Sequence, residues 1–366
     1  MIFTVPCLMG TESLVADELS FGGFSGVSAQ NGSVSFQGEI GDCARANVCL
    51  RCGERVLIKL GAFRASTFEE LFQGVKALPW EDFIGQSDAF PVKGYSIRST
   101  LASVPACQSI IKKAVVERLK ERYKCQLLET GVKKQIQFSL IKDEAAVFLD
   151  TSGAPLYKRG YKLVQSEASL RETLAASIVK TARYKGREDF FDPMCGSGTL
   201  AIEAAMASLG IAPGINRAFA AECFGDTWEQ AFLNAKNEAK AKIKREKLPI
   251  FASDIDEKAV ELTKENAKHA GVLDSITVKS ENAVKADWAQ RRGVLMCDPP
   301  YGVRMLDQKQ ARALLRAFGE ALSGSEIKKY IISADDNFEE NFGKRADKRR
   351  KLYNVMIKCN LYMYFK

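Results

Sequence analysis

Histidine is nearly missing from this 366-residue chain, which has only His269. A zinc site around the lone C-x-x-C pair, Cys49 and Cys52, would therefore lack its remaining ligands. Long apolar runs are missing too: none approaches the roughly 18 residues that cross a bilayer. The first Lys or Arg is Arg45, so no signal peptide is expected. The ten cysteines then read as reduced, cytosolic thiols. Internal repeats and low-complexity tracts are also lacking. What is present, 46% hydrophobic and 27% charged residues, is ordinary for a globular chain and excludes a disordered, collagen-like or coiled-coil protein. The length suggests two or three domains.

The net charge of +8 is unevenly spread. Residues 1–155 hold 17 basic and 17 acidic side chains, so the excess lies in 156–366. Within the first part, residues 92–134 hold ten basic and three acidic residues. A second basic cluster is GKRADKRRK at 343–351. Local basic surface attracts a polyanion whose counterions can be released.

Patterning divides the chain. IFTVPC and SVSFQG read as strands, and TESLVADELSFGG as a helix with Leu14, Val15 and Leu19 inward. DCARANVCLRCGERVLIKLGAF reads as a helix running into a strand. The theme repeats over 66–150, with SVPACQSIIKKAVVERLKERY as a long basic helix and QIQFSLIKDEAAVFLDTSG as two strands around a polar turn. Residues 150–162 are turn-rich and read as a linker. Beyond them strands alternate with helices, the sign of a parallel α/β sheet. The ending LYNVMIKCNLYMYFK reads as an antiparallel hairpin. The expected units are 1–60, 61–155 and 156–366.

Four motifs carry chemistry. In DPMCGSGT, Asp192 to Thr199, a strand meets a glycine loop and then a helix, the Rossmann cofactor arrangement. Gly196 and Gly198 let backbone approach a ligand. A dinucleotide is disfavoured, because Ala201 occupies the third glycine position and the next strand-end acid, Asp254, comes far later than the usual ~20 residues. A nucleoside cofactor fits better. In FASDID, Asp254 can accept from both ribose hydroxyls and Ile255 can lie on a base, while Asp256 suits a helix cap. In KSENAV, Asn282 can meet the adenine edge. In CDPPYG, Asp298 and a rigid carbonyl offer acceptors to an NH₂ group, since Pro299 and Pro300 have no N–H, and Tyr301 offers a stacking face. Holding both N–H bonds would let a delocalised amine nitrogen pyramidalise toward a methyl sulfonium. A cysteine nucleophile is excluded by Tyr301 after Pro300.

DPMCGSGTLAIEAAM, FASDID and CDPPYG resemble class I S-adenosylmethionine-dependent RNA methyltransferases. The N-terminal part looks like a THUMP RNA-binding domain behind a ferredoxin-like segment. SVPACQSIIKKAVVERLK, LDTSGAPLYKRGYK, SLRETLAASIV and the ending LYNVMIKCNLYMY are similar to bacterial THUMP methyltransferases acting on guanine-N(2) of 23S rRNA. The resemblance implies an α/β fold, with a Rossmann-like seven-stranded methyltransferase sheet after the ferredoxin-like and THUMP region. It implies S-adenosylmethionine as cofactor, RNA as partner, and neither metal nor membrane. Asp192, Pro193, Cys195, Gly196, Ser197, Gly198 and Thr199 would form the cofactor loop. Asp254, Ile255, Asn282 and Ala283 would hold the nucleoside, and Glu172 the methionine end. Asp298, Pro299, Pro300 and Tyr301 would be catalytic. RNA contacts are expected from Lys93, Arg98, Lys112, Lys113, Arg118 and Lys120, with Lys158 and Arg159 in the linker. Asp-Pro-Pro-Tyr also occurs in tRNA guanine-N(2) and adenine-N(6) enzymes, and a non-catalytic RNA-binding assembly factor is a further reading. The sequence gives no oligomeric state.

Overall fold

The computed structural model describes residues 1–162, 170–300, 308–354 and 357–365. In its first half, seven strands share one sheet: β1 (Ile2–Pro6), β2 (Ser25–Gln30), β3 (Ser33–Gln37), β4 (Leu57–Arg64), β5 (Val92–Ile97), β6 (Ile136–Ile141) and β7 (Glu144–Asp150). Their order is β2-β3-β1-β4-β7-β6-β5. The expected boundary at residue 60 falls inside β4, which pairs with β1 on one side and β7 on the other. The polar turn between β6 and β7 is Lys142–Asp143. Both have positive φ, the left-handed pair that matches strand twist in a two-residue hairpin.

Strand β2 was not expected from the sequence. It is rich in Ser and Gly, lies at the sheet edge and is largely exposed, so it shows no inward–outward alternation. Helices α1 (Glu12–Phe21), α2 (Ile40–Cys49), α3 (Phe68–Lys76) and α4 (Val104–Tyr123) complete this half. Leu14, Val15 and Leu19 face inward on α1, as their spacing predicts. So do Ile111, Ala114, Val115 and Leu119 on α4.

The second half has β8 (Phe190–Asp192), β9 (Ile250–Asp254), β10 (Thr277–Ser280), β11 (Val294–Cys297), β12 (Lys328–Ser333), β13 (Lys348–Asn354) and β14 (Ile357–Tyr364). The order is β10-β9-β8-β11-β12-β14-β13, and all strands run parallel except β14, which is antiparallel to both its neighbours β12 and β13. Its helices are α5 (Glu172–Thr181), α6 (Thr199–Ser208), α7 (Asp226–Ala241), α8 (Glu257–His269), α9 (Gln308–Ala321) and α10 (Phe338–Phe342). Strand order reverses between β8 and β11, and open α/β sheets present ligand crevices above the carboxyl ends of strands at such a point. The basic cluster at 343–351 partly forms β13: Arg349 pairs with Glu339, and Arg350 bonds to Gly10 and Ser13 near α1.

Packing does not follow the sequence units. One apolar core joins β1, β3, α1 and α2 to α5 and α6, while β5, β6, α3 and α4 surround a separate core. Helix α7 packs on α2. The segment 211–248, which carries α7, thus braces the N-terminal unit. Residues 150–162 are not a solvated linker: Thr151, Ser152, Leu156, Arg159 and Tyr161 are buried. No helix among the described residues is long and apolar enough to cross a membrane.

Candidate active site

Asp192, Asp254 and the Asp298 segment end β8 and β9 and follow β11, so parallel register brings three carboxylates to one sheet edge. They line one cavity of about 610 Å³ together with the glycine loop, Ile255, Asn282, Ala283, Pro299 and Pro300. Pocket volumes of roughly 300–1,000 Å³ suit nucleoside-sized ligands.

The loop is held from behind by α8. Buried Thr263 donates to the Gly196 carbonyl at 2.9 Å, and buried Asn266 donates to the Ser197 carbonyl at 2.9 Å. The Gly196 amide donates to Asp254 Oδ2 at 3.0 Å, and the Asp256 amide donates to Oδ1 at 3.0 Å. Asp254 is thereby fixed with acceptor capacity to spare. Asp256 caps α8 by accepting from the Lys258 amide at 2.9 Å, the role its position suggested. Ile255 is 69% exposed although apolar, as a residue awaiting a flat ligand would be. Asn282 lines the cavity, but its Oδ1 accepts from the Val284 amide at 2.9 Å in an Asx turn. Its amide NH₂ end and the second lone pair of Oδ1 are left to meet a base edge.

Asp192 is 1% exposed, and neither carboxylate oxygen has a hydrogen-bond partner of good geometry. Burial, then the Asp254 and Asp298 carboxylates, push its pKa well above the usual carboxylate range, with a weak opposing pull from the Ala201 amide. An orphaned buried carboxyl beside two others is costly without a cationic or hydrogen-bonding ligand. S-adenosylmethionine, with a sulfonium, an ammonium and a ribose diol, meets that demand. Burial pushes the Cys195 and Cys297 thiols upward, so neither is an activated nucleophile.

Glu172 does not lie on the cavity wall. It is 3% exposed and faces Lys162 at 3.6 Å, while Lys162 Nζ donates to the Leu170 carbonyl at 2.7 Å. Leu170 is the part of this segment that lines the cavity. Burial pushes Lys162 toward neutrality, opposed by Glu172, Glu203 and Asp298. Tyr301 lies outside the described residues. Sequence reasoning missed Thr263 and Asn266, whose signal was polarity on the buried face of a helix. It also missed the apolar wall residues Leu170, Leu262, Val284 and Leu314.

One expected RNA contact changes character. Arg159 is 4% exposed and cannot reach a solvent ligand; it faces Glu203 at 3.4 Å and donates to the carbonyls of Leu156 and Arg51. Tyr161 also donates to Glu203, at 3.2 Å. The linker is therefore bolted to α6 through a buried ion pair, and Lys158 stays exposed. Arg159→Met is expected to cost about 3–5 kcal/mol, because an uncompensated Glu203 stays buried. Guanidinium unfolding checks this: adding Glu203→Gln should recover part of the loss, and a midpoint unmoved by Arg159→Met would refute it.

The chain matches three family descriptions: RlmL ferredoxin-like domain over residues 2–57, THUMP domain over 65–150, and the RMKL-like methyltransferase domain UPF0020 over 159–363. It is 40% identical to the RNA methyltransferase candidate YpsC of Bacillus subtilis (strain 168), over 100% of this chain and 95% of that protein. It is 30% identical to the ribosomal RNA large subunit methyltransferase K/L of Psychromonas ingrahamii, over 99% of this chain but only 50% of that enzyme. The chain thus spans about half the length of such K/L enzymes. Among solved structures, SMU.472, a methyltransferase candidate crystallised with SAH, superposes with a TM-score of 0.92 at 37% identity, covering 100% of this chain and 97% of that one. A Listeria monocytogenes protein described as a predicted N6-adenine-specific DNA methylase superposes at 0.93 with 40% identity, covering 99% and 95%.

Proposed function

Because the chain belongs to the RMKL-like UPF0020 methyltransferase family, carried on RlmL ferredoxin-like and THUMP domains, we propose that it transfers the methyl group of S-adenosylmethionine to the exocyclic N(2) amine of guanine in RNA, most simply 23S rRNA in the cytoplasm. The observation that carries the reading is the convergence of orphaned Asp192, prearranged Asp254 and the Asp298-Pro299-Pro300 fork on one cavity. Asp192, Asp254, Ile255, Asn282 and the Gly196 loop would hold the cofactor, which supplies an electrophilic methyl group when bound. Asp298 orients the target amine and receives its proton, directly or through water. Pro299 and Pro300 keep the acceptor fork rigid, so little reorganisation remains at the moment of transfer. A base in a duplex cannot reach such a cavity and must leave its stack.

The test is methylation of total RNA from a strain lacking the protein, followed by nucleoside mass analysis of separated rRNA and tRNA. N2-methylguanosine formed in 23S rRNA is the expected product. The same nucleoside in tRNA would move the substrate, and N6-methyladenosine, the product that the Listeria neighbour's description suggests, would overturn the guanine assignment.

A further inference from the structure

The basic residues of 92–134 do not form one surface. On the α3–α4 side, acids interleave with them. Lys76 pairs with Glu121 at 2.6 Å and Glu117 at 3.6 Å, Lys112 with Glu129, and Arg118 with Glu81 at 2.6 Å, and Lys113 stands 3.9 Å from Glu117. That face is nearly balanced in charge. The opposite face of the sheet is different. Gly94 points inward, where a Cβ would strike Phe138, so Lys93, Tyr95 and Ile97 point outward from edge strand β5.

Register places Tyr95 beside Ser139, Ser139 beside Ala146 and Ala146 beside Ala62. This is a row of small side chains three strand spacings long, roughly 14 Å, ending at an aromatic ring. Tyr95 and Ile97 are each 49% exposed and Ile141 is 41% exposed, adjacent on two strands. Single exposed apolar residues mean little, but a contiguous patch marks a contact surface. Lys59, Arg64, Lys93 and Lys133 flank it, and none of the four forms an ion pair with a described residue. Of the acids on this face, Glu144 sits in register opposite Arg64, and Asp150 is already held by Arg55.

We propose that this outer sheet face is a binding platform for an unpaired stretch of RNA, with a base stacked on Tyr95, the strand lying along the Ser139–Ala146–Ala62 row, and phosphates on the flanking lysines and Arg64. It rests on the reading that the substrate is RNA. Flat sheets with exposed aromatics and basic margins suit splayed bases, which every sequence offers as a stacking face. A duplex would present no free base to the ring.

The full chain is titrated with a fluorescein-labelled 12-nucleotide oligouridylate, read by anisotropy across a salt series. Tyr95→Ala should weaken binding roughly 5- to 150-fold, the worth of one stacked base, whereas Tyr95→Phe should bind nearly as the parent does. Lys93→Ala should lower the salt slope by about 0.7. The double change Lys113→Ala with Lys120→Ala, on the helix side, should have a much smaller effect. The platform is overturned if the parent does not bind the oligonucleotide, if Tyr95→Ala binds as well as the parent, or if the helix-side pair carries the loss. Titration with SAH separates this from the methyltransferase reading: a chain that binds SAH but loses nothing at Tyr95 refutes only the platform, and one that does not bind SAH refutes the cofactor assignment instead.

Discussion

Asp298→Ala is expected to reduce methyl transfer by roughly 10²- to 10⁴-fold while leaving SAH binding little changed. The size follows from the role proposed for this side chain. The amine of a nucleobase is a weak nucleophile, and its nitrogen attacks only when both N–H bonds are held away from the ring plane. Asp298 stands at the end of β11, lines the cavity, and is followed by two prolines that cannot donate and cannot easily flex. Removing its carboxylate takes away the fixed acceptor and leaves water, which must reorganise at each turnover. Asp298→Asn keeps an acceptor oxygen and should retain considerably more activity than the alanine variant. Steady-state rates and calorimetric SAH binding together decide the matter. A parallel loss of SAH affinity would mean that Asp298 serves the cavity's charge balance with Asp192 and Asp254 rather than the target amine.

Gly196→Val should abolish measurable SAH binding without unfolding the protein. Gly196 has φ +54°, a conformation costly for a β-branched residue by about 1–2 kcal/mol. A Cβ built there meets nothing within 4 Å, so the valine methyls occupy open space on the cavity wall, where the ligand would lie. Two residues on, the situation reverses. A Cβ on Gly198 would come within 2.6 Å of Thr263 Cγ2, so Gly198→Ala should loosen the packing of the loop on α8 and lower thermal stability. On the proposed reading the two glycines of one motif have separate duties, the first to the ligand and the second to the fold. Unchanged SAH affinity in Gly196→Val would refute the loop assignment.

Much of the site was legible because its signals are local. A glycine loop between strand and helix, an acid at the end of a strand and an acid followed by two prolines each state their backbone geometry within a few residues. Asp256 as a cap, Lys142–Asp143 as a turn and the inward stripe of α4 were equally readable. Strand β2 was not, because an exposed Ser/Gly edge carries no alternation. Thr263 and Asn266 were invisible as loop anchors, since their partners lie nearly 70 positions earlier.

The sequence by itself determined which side-chain types stand at the sheet edge and the order of the units that carry them, since bond geometry and side-chain type act over short distances along the chain. Only the tertiary structure decided which charges remain available. It buried Arg159 against Glu203, turned Glu172 toward Lys162, matched Lys112 and Arg118 of α4 with Glu129 and Glu81, and left alternate residues of β5 exposed on the outer sheet face. Charge pairing is set by proximity in space, and the partners here come from parts of the chain that no local pattern connects.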